Sequence, residues 1–150
     1  MLISTKGRYA ARMLADIVMH QGEKGYVSMK DVAERQQISK KYMEAFTPPL
    51  VSAGILGVRR GKAGGYRLLP PPEKVTLWQV VSLIEGPLHA VSCLERPVND
   101  CARCDFCITL PAWAGLEKVV RDYLESVTLR QLIDQARPQP SNPEAYPCGV

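Results

Sequence analysis

Residues 56–69 constrain the fold more than any other stretch, because two short strand-like segments flank a loop rich in glycine and basic residues. The segments 56–60 and 66–69 predict the strands, and the glycines between them permit a tight turn. Three prolines at 70–72 end regular structure directly afterwards. The pattern predicts a β-hairpin with a positively charged tip. Because helical spacing prevails elsewhere, the fold class is mostly α with a small β-wing.

Two helices are predicted upstream of this hairpin. Apolar residues recur at helical spacing over residues 5–20. After a glycine-containing loop, Ser28 is a good N-cap for a short second helix over 29–35. Residues 36–38 then predict a tight turn.

A third helix follows that turn. Ser39 is its N-cap, and the helix is expected to run through Phe46. Pro48 and Pro49 lack amide donors and clash with a preceding turn, so a kink or a restart is expected near Thr47. Helix, short helix, turn, helix and basic hairpin in this order predict a winged helix-turn-helix.

The second half of the chain has a different pattern. Thr76 begins a capping box ahead of a helix that closes at Gly86. Residues 88–110 show no helical or strand period, and a long amphipathic helix is predicted over 111–127. Thr128 then caps a last short helix, and a proline-rich tail that contains Cys148 is expected to be disordered.

The charge is unevenly distributed along the 150 residues. Residues 1–75 hold 13 Lys and Arg against six Asp and Glu, a net charge of +7, whereas residues 76–150 have a net charge of −3. A basic first half is typical of a segment that meets a polyanion. No apolar run reaches the roughly 18 residues of a membrane span, and Asp16 interrupts any signal-peptide core. We therefore expect a cytoplasmic protein with no membrane partner.

The third predicted helix, which we call the reading helix, and the wing supply hydrogen-bond donors for double-stranded DNA. The first turn of such a helix faces base edges and phosphates in the major groove, and an arginine at a wing tip suits a narrow minor groove. Basic residues near the N-terminus could add phosphate contacts, and a carboxylate can accept from cytosine. The residues predicted to contact DNA are Lys6, Arg8, Ser28, Ser39, Lys40, Lys41, Tyr42, Glu44, Arg59, Arg60, Lys62 and Tyr66.

Four of the five cysteines, Cys93, Cys101, Cys104 and Cys107, fall within 15 residues. In a reducing compartment this spacing favours metal binding or redox chemistry over disulfides. Thiolates spaced in this way hold iron–sulfur clusters, and four of them also suit zinc. A thiol switch without metal is a further alternative.

The predicted helix over 111–127 has an apolar face that must pack on something. Pairing with a second copy would make a homodimer and match a two-fold, pseudo-palindromic operator. We accordingly divide the chain into a winged helix-turn-helix DNA-binding domain at 1–75, a cysteine loop with dimerisation helices at 76–136, and a disordered tail at 137–150.

Seven pieces of the chain form a specific pattern: STKGRYA at 4–10, ISKKYME at 38–44, GGYRL at 64–68, EGPL at 85–88, the cysteine loop, Trp113, and SVTL at 126–129. With these motifs, residues 1–136 resemble the Rrf2 family of bacterial transcription regulators, and within it the IscR-like iron–sulfur cluster regulator group. The resemblance implies a winged-helix dimer with a long dimerisation helix and no enzymatic activity.

The resemblance also implies roles for particular residues. Three loop cysteines ligate the cluster in the cluster-binding members, and they correspond to Cys93, Cys101 and Cys107. The DNA-contacting regions correspond to 39–42, Glu44 and the wing around Arg59 and Arg60. The cofactor is then a [2Fe-2S] or a [4Fe-4S] cluster, with the type undecided and zinc as the alternative.

Two positions depart from the family pattern. Leu110 stands where [2Fe-2S] regulators have a histidine ligand, and Arg8 stands where other relatives offer an acidic ligand from the partner subunit. Cys104 is therefore the candidate for the fourth ligand. The expected function is a DNA-binding regulator that senses iron–sulfur, redox or nitric oxide status. The alternatives are the same regulator working through thiols or zinc, or a small iron–sulfur carrier.

Overall fold

The computed structural model describes residues 3–23 and 25–136. The predicted disordered tail and Cys148 lie outside these ranges. The elements in chain order are α1 (Thr5–His20), α2 (Met29–Gln36), α3 (Lys40–Glu44), α4 (Thr47–Ser52), β1 (Leu56–Arg59), β2 (Gly65–Leu68), α5 (Leu77–Glu85), α6 (Leu110–Ser126) and α7 (Leu129–Gln135). Short 3₁₀ turns occur at Pro72–Lys74, Ser92–Leu94 and Cys104–Phe106.

The helix-turn-helix consists of α2 and α3, and local capping determines where both helices begin. The Ser28 hydroxyl accepts a hydrogen bond from the Asp31 amide, and the Ser39 hydroxyl accepts one from the Tyr42 amide, each at 3.2 Å. Between the helices Gln37 adopts a left-handed conformation, with φ of 54°. This conformation reverses the chain within the predicted tight turn.

The predicted interruption near Thr47 is confirmed, since α3 ends at Glu44 and α4 begins at Thr47. Pro48 and Pro49 occupy the first turn of α4, where a helix has no need of amide donors. The Thr47 hydroxyl is buried and donates to the Met43 carbonyl at 3.1 Å. The two prolines therefore start a new helix, and α3 is only five residues long.

The wing is an antiparallel hairpin in which Leu56 pairs with Leu68 and Arg59 pairs with Gly65. β1 ends one residue earlier than predicted, and Gly61, with φ of 101°, lies in the loop that follows. β2 begins and ends one residue earlier than predicted. Outside the hairpin, Val27 exchanges two backbone hydrogen bonds of 2.8 Å with Tyr66. The wing is thereby attached to the residue that precedes the N-cap of α2.

One hydrophobic core contains residues from both halves of the sequence. Met13, Phe46 and Leu50 from the first half lie together with Val80 of α5 and Leu129 of α7. The backbone bridge between Thr76 and Thr128 holds the starts of α5 and α7 side by side. Packing thus joins α5 and α7 to the helix-turn-helix. The predicted division at residue 75 therefore distinguishes two proposed functions and does not separate two hydrophobic cores.

α6 begins and ends one residue before the predicted 111–127. Val127 is extended and accepts from the Leu77 amide at 2.8 Å, which ends the helix at Ser126. Within residues 88–109, predicted to lack a regular period, the structure has only the two short 3₁₀ turns. No helix in the described ranges has the length and apolar character of a membrane span.

Candidate nucleic-acid interface and cysteine loop

The first turn of α3 presents polar side chains to the surface. Lys40 and Lys41 are exposed, and the Lys40 ammonium lies 3.8 Å from the Glu44 carboxylate on the next turn. Both side chains of this pair are more than half exposed, so their mutual attraction is weak and either can exchange its partner. The turn can therefore offer two cations and one acceptor to a groove.

Tyr42 has a different environment from its neighbours. Its ring makes edge-to-face contacts with Tyr9 of α1, at 5.8 Å between centroids, and with Phe46, at 6.0 Å. Such contacts stabilise a packed arrangement beyond the area they bury. Tyr42 is half-buried, so its ring fixes α3 against α1.

The first turns of α1 lie close to the start of α3. Thr5 and Tyr9 of α1 and Ser39 of the α3 cap line one shallow depression of about 350 Å³. Lys6 and Arg8, in the first turn of α1, are exposed, and Arg8 donates to the hydroxyl of Thr5 at 3.2 Å. This arrangement suits contacts to the phosphate backbone next to the groove that α3 would enter.

The predicted wing residues fall into two groups. Arg59 donates twice to the Ala63 carbonyl, at 3.2 Å from Nε and 2.7 Å from Nη2, so it closes the hairpin loop. Arg60 and Lys62 are exposed at the tip. Tyr66 is half-buried and bonds through its backbone to Val27.

Glu85 is a junction residue that the sequence reading did not identify. Its Oε1 accepts from the Ser4 amide (3.1 Å), the Ser4 hydroxyl (2.6 Å) and the Gly7 amide (3.0 Å). A Cβ on Gly7 would lie 2.5 Å from this oxygen, so the glycine makes the approach possible. The local signals are the glycine in the first turn of a predicted helix and the motifs at 4–10 and 85–88, which contain these three residues but do not connect them.

Asp16 is a second residue that sequence reasoning missed, because it was placed on an ordinary amphipathic helix. Its side chain is buried and accepts from Arg35 Nε (3.0 Å), Arg35 Nη2 (2.7 Å) and Gln36 Nε2 (2.9 Å). Burial alone would raise the pKa of this carboxyl. The hydrogen bonds from Arg35 and Gln36, with the positive charge of Arg35, outweigh burial and lower the pKa from its ordinary 3.8.

The four clustered cysteines lie on an exposed loop. Cys101 is exposed and the other three are partly exposed, and all four are free thiols. Within residues 3–23 and 25–136 no three His, Cys, Asp or Glu side chains are grouped closely enough to hold a metal ion. Hence the structure does not bring the predicted ligands Cys93, Cys101, Cys104 and Cys107 together.

Two of these thiols differ in acidity. The hydroxyl of Thr109, 3.4 Å from the Cys107 sulfur, and nearby backbone amides lower the pKa of Cys107. Desolvation and the adjacent Asp105 carboxylate raise the pKa of Cys104. The thiolate form is therefore favoured more at Cys107 than at Cys104.

The start of the cysteine loop is attached to α6 through Glu117. Its carboxylate accepts from the Ala90 amide at 3.2 Å and lies 3.1 Å from His89 Nδ1. Both side chains of the His89–Glu117 pair are 22% exposed. Displacement of the loop would therefore act directly on the middle of α6.

An apolar surface runs along α6 and continues beside it. Trp113, Leu116, Val119 and Tyr123 are 41%, 47%, 65% and 65% exposed, whereas Leu124 of the same helix is buried. A groove of about 400 Å³ adjoins Leu124, lined mainly by apolar parts of α1 and α5. Contiguous exposed apolar surface of this kind is typical of a protein–protein interface.

The family comparison covers nearly all of the described chain. The family described as "Rrf2: Iron-dependent Transcriptional regulator" matches residues 3–135. An HTH-type transcriptional regulator of Neisseria meningitidis serogroup A is 35% identical over 90% of this chain and 89% of its own length. The HTH-type transcriptional regulator IscR of Pectobacterium carotovorum is 32% identical over 89% of this chain and 80% of its own length.

Solved structures confirm the predicted winged-helix fold. CymR, the global cysteine regulator of B. subtilis, aligns with a TM-score of 0.75 and 29% identity, over 91% of this chain and 98% of its own. IscR of T. potens aligns with a TM-score of 0.73 and 31% identity, over 91% and 89%. These relatives are transcriptional regulators and not enzymes. The chain belongs to the Rrf2 family of transcriptional regulators.

Proposed function

We propose that this protein is a cytoplasmic, homodimeric regulator that binds double-stranded DNA and is controlled through an iron–sulfur cluster held by its cysteine loop. The observation that carries the DNA-binding part is the exposed α3 turn together with the basic wing tip. Lys40 and Lys41 are available for the major groove, and Arg60 and Lys62 for the adjacent minor groove.

Random-sequence selection tests DNA binding directly. The purified protein is incubated with a random pool of 30-bp duplexes, and we expect enrichment of a pseudo-palindrome with two half-sites. Arg60→Gln should lower the preference for the enriched duplex by about 1–3 kcal/mol, as expected for loss of a base contact. Lys41→Gln should weaken binding to all duplexes alike and reduce the salt dependence. Failure of the wild-type protein to enrich any sequence would reject DNA recognition.

Homodimer formation is supported by the apolar face of α6. In a dimer, the α6 face of one subunit would cover the apolar groove beside Leu124 of the other. Burial of these exposed side chains supplies the driving force for association. The two winged helix-turn-helix units of such a dimer, related by a two-fold axis, would then match a pseudo-palindromic operator.

The chemistry of the cysteine loop fits an iron–sulfur cluster. We assign Cys93, Cys101 and Cys107 as ligands and Cys104 as the fourth, since neither Leu110 nor Arg8 can ligate iron. All four are free, accessible thiols on one loop segment. A bound cluster would supply a centre that reacts with oxidants or nitric oxide, and whether it is [2Fe-2S] or [4Fe-4S] is left to the spectrum.

A regulator that works through zinc or through thiols alone is the second candidate. Four thiols suit tetrahedral zinc, and the different acidities of Cys104 and Cys107 suit thiol chemistry. Anaerobic purification followed by iron, sulfide and zinc analysis and an absorption spectrum separates the candidates. A coloured protein with iron and sulfide supports the cluster, and a colourless protein, with or without zinc, overturns it. If a cluster is present, undiminished retention in Cys104→Ser excludes Cys104 as a ligand.

A further inference from the structure

Tyr26 lies where the wing meets the helix-turn-helix. It directly precedes Val27, whose backbone amide and carbonyl both form hydrogen bonds with the backbone of Tyr66 in β2. A Cβ on Gly65 would lie 2.4 Å from the Val27 carbonyl oxygen, so this contact has no space for a side chain. The backbone contact therefore fixes the position of Tyr26 relative to both strands of the hairpin.

The Tyr26 ring carries two arginine side chains from the wing. The Arg59 guanidinium lies 4.4 Å from the ring centroid and that of Arg67 lies 5.7 Å from it. Both distances are within the range of cation–π attraction. Arg67 Nη2 also donates to the Glu23 carbonyl at 3.4 Å, while its buried Nε has no hydrogen-bond partner among the described residues.

Arg59 connects this aromatic platform to the wing loop. While its guanidinium lies on the Tyr26 ring, it donates twice to the Ala63 carbonyl across the loop. The loop backbone is tight, because a Cβ on Gly64 would lie 2.2 Å from the Arg59 carbonyl oxygen. A contact at Tyr26 therefore limits the positions of the loop residues 60–63.

We propose that Tyr26 is a positioning residue for DNA readout by the wing, acting through Arg59. Tyr26 holds the Arg59 guanidinium, and Arg59 closes the loop. The closed loop then keeps Arg60 and Lys62 in a defined position relative to β1 and β2. Arg59 is thus engaged within the protein and contributes to recognition indirectly. The proposal rests on the proposed DNA-binding function and adds to it a residue that no groove contact would reveal.

The test compares operator preference in variants of Tyr26 and Arg59. The probes are the duplex enriched from the random pool by the wild-type protein and a scrambled duplex of the same length. Tyr26→Leu should lower the affinity for the enriched duplex by about fivefold, the factor expected from loss of a cation–π contact of about 1 kcal/mol. Affinity for the scrambled duplex should stay within about twofold, since it depends on phosphate contacts.

Matched variants identify the ring as the active feature. Tyr26→Phe keeps the aromatic face and should bind like the wild type. Arg59→Gln should reproduce the Tyr26→Leu loss, and the double variant should lose no more than either single variant, because both changes break the same contact. Thermal unfolding of each variant shows whether the fold is retained, and the exposed Arg59→Gln alone serves if Tyr26→Leu does not fold.

Three results would overturn the proposal. They are an equal loss in Tyr26→Phe, multiplicative losses in the double variant, and an unchanged operator preference in both Tyr26→Leu and Arg59→Gln. If the wild-type protein enriches no duplex at all, the DNA-binding function fails instead. The two failures are therefore distinguishable.

Discussion

Replacing Asp16 by Ala is expected to remove the polar link between α1 and α2. The Asp16 side chain is 2% exposed and accepts from the guanidinium of Arg35 and the amide of Gln36. In the variant these donors face an apolar methyl group. Since α2 carries the N-terminal half of the helix-turn-helix, its orientation depends on this link.

The expected loss of unfolding free energy follows from the burial of the two partners. Removing one member of a fully buried ion pair costs about 3–5 kcal/mol. The Arg35 side chain is 34% exposed, so its guanidinium can recover some hydration. We therefore expect a loss of about 2–3 kcal/mol. Asp134→Asn breaks the exposed pair with Arg130 and should change stability by less than about 0.5 kcal/mol.

The pH dependence gives a second, independent readout. Because the folded state lowers the pKa of Asp16 from 3.8, the wild-type protein gains stability from this carboxylate above that pH. The gain is lost as the pH falls from 3.8 through the lower pKa of the folded state. The difference between wild type and Asp16→Ala should therefore be full at pH 7 and shrink at pH values below 3.8.

Urea unfolding measures both effects, and a fixed protein concentration keeps the comparison valid if the protein is the proposed dimer, whose stability would depend on concentration. A loss at pH 7 no larger than that of Asp134→Asn would refute the reasoning about the buried pair. A difference that does not shrink in acid would show that the stabilisation does not come from the ionised carboxylate.

Three further changes have defined outcomes. Gly7→Ala should displace the Glu85 carboxylate and lower the free energy of unfolding, measured in urea, by about 1–2 kcal/mol. Unchanged stability would show that the three hydrogen bonds to Glu85 contribute nothing. Val119→Asp places a charge on the exposed apolar face of α6 and should yield a monomer in sedimentation velocity, while Glu125→Gln stays dimeric. A dimeric Val119→Asp would exclude this face of α6 from the interface. Gln37→Gly should stabilise the fold by about 0.5 kcal/mol, because glycine accepts a φ of 54° at little cost. The thermal unfolding temperature should therefore rise slightly, and a lower temperature would contradict the assigned strain.

Much of the secondary structure could be predicted because its determinants are local. Ser28, Ser39, Thr76 and Thr128 each accept from an amide three residues later, so a few adjacent letters specify where four helices begin. The glycine-rich basic hairpin and the restart at Thr47 follow from equally local backbone constraints. The order of these elements was enough to indicate a winged helix-turn-helix and to favour DNA as the partner.

Only the tertiary structure decided which side chains are free to act. Glu85 meets Ser4 and Gly7 across 81 and 78 residues of chain, and Tyr26 meets Arg59 across the wing, so no spacing rule connects them. The contacts of Arg59 with the Ala63 carbonyl and of the Tyr42 ring with Tyr9 likewise had no counterpart in the sequence pattern. A sequence pattern reports neighbours along the chain, whereas packing brings distant residues within hydrogen-bond and van der Waals range, and those contacts determine the exposure of each charge.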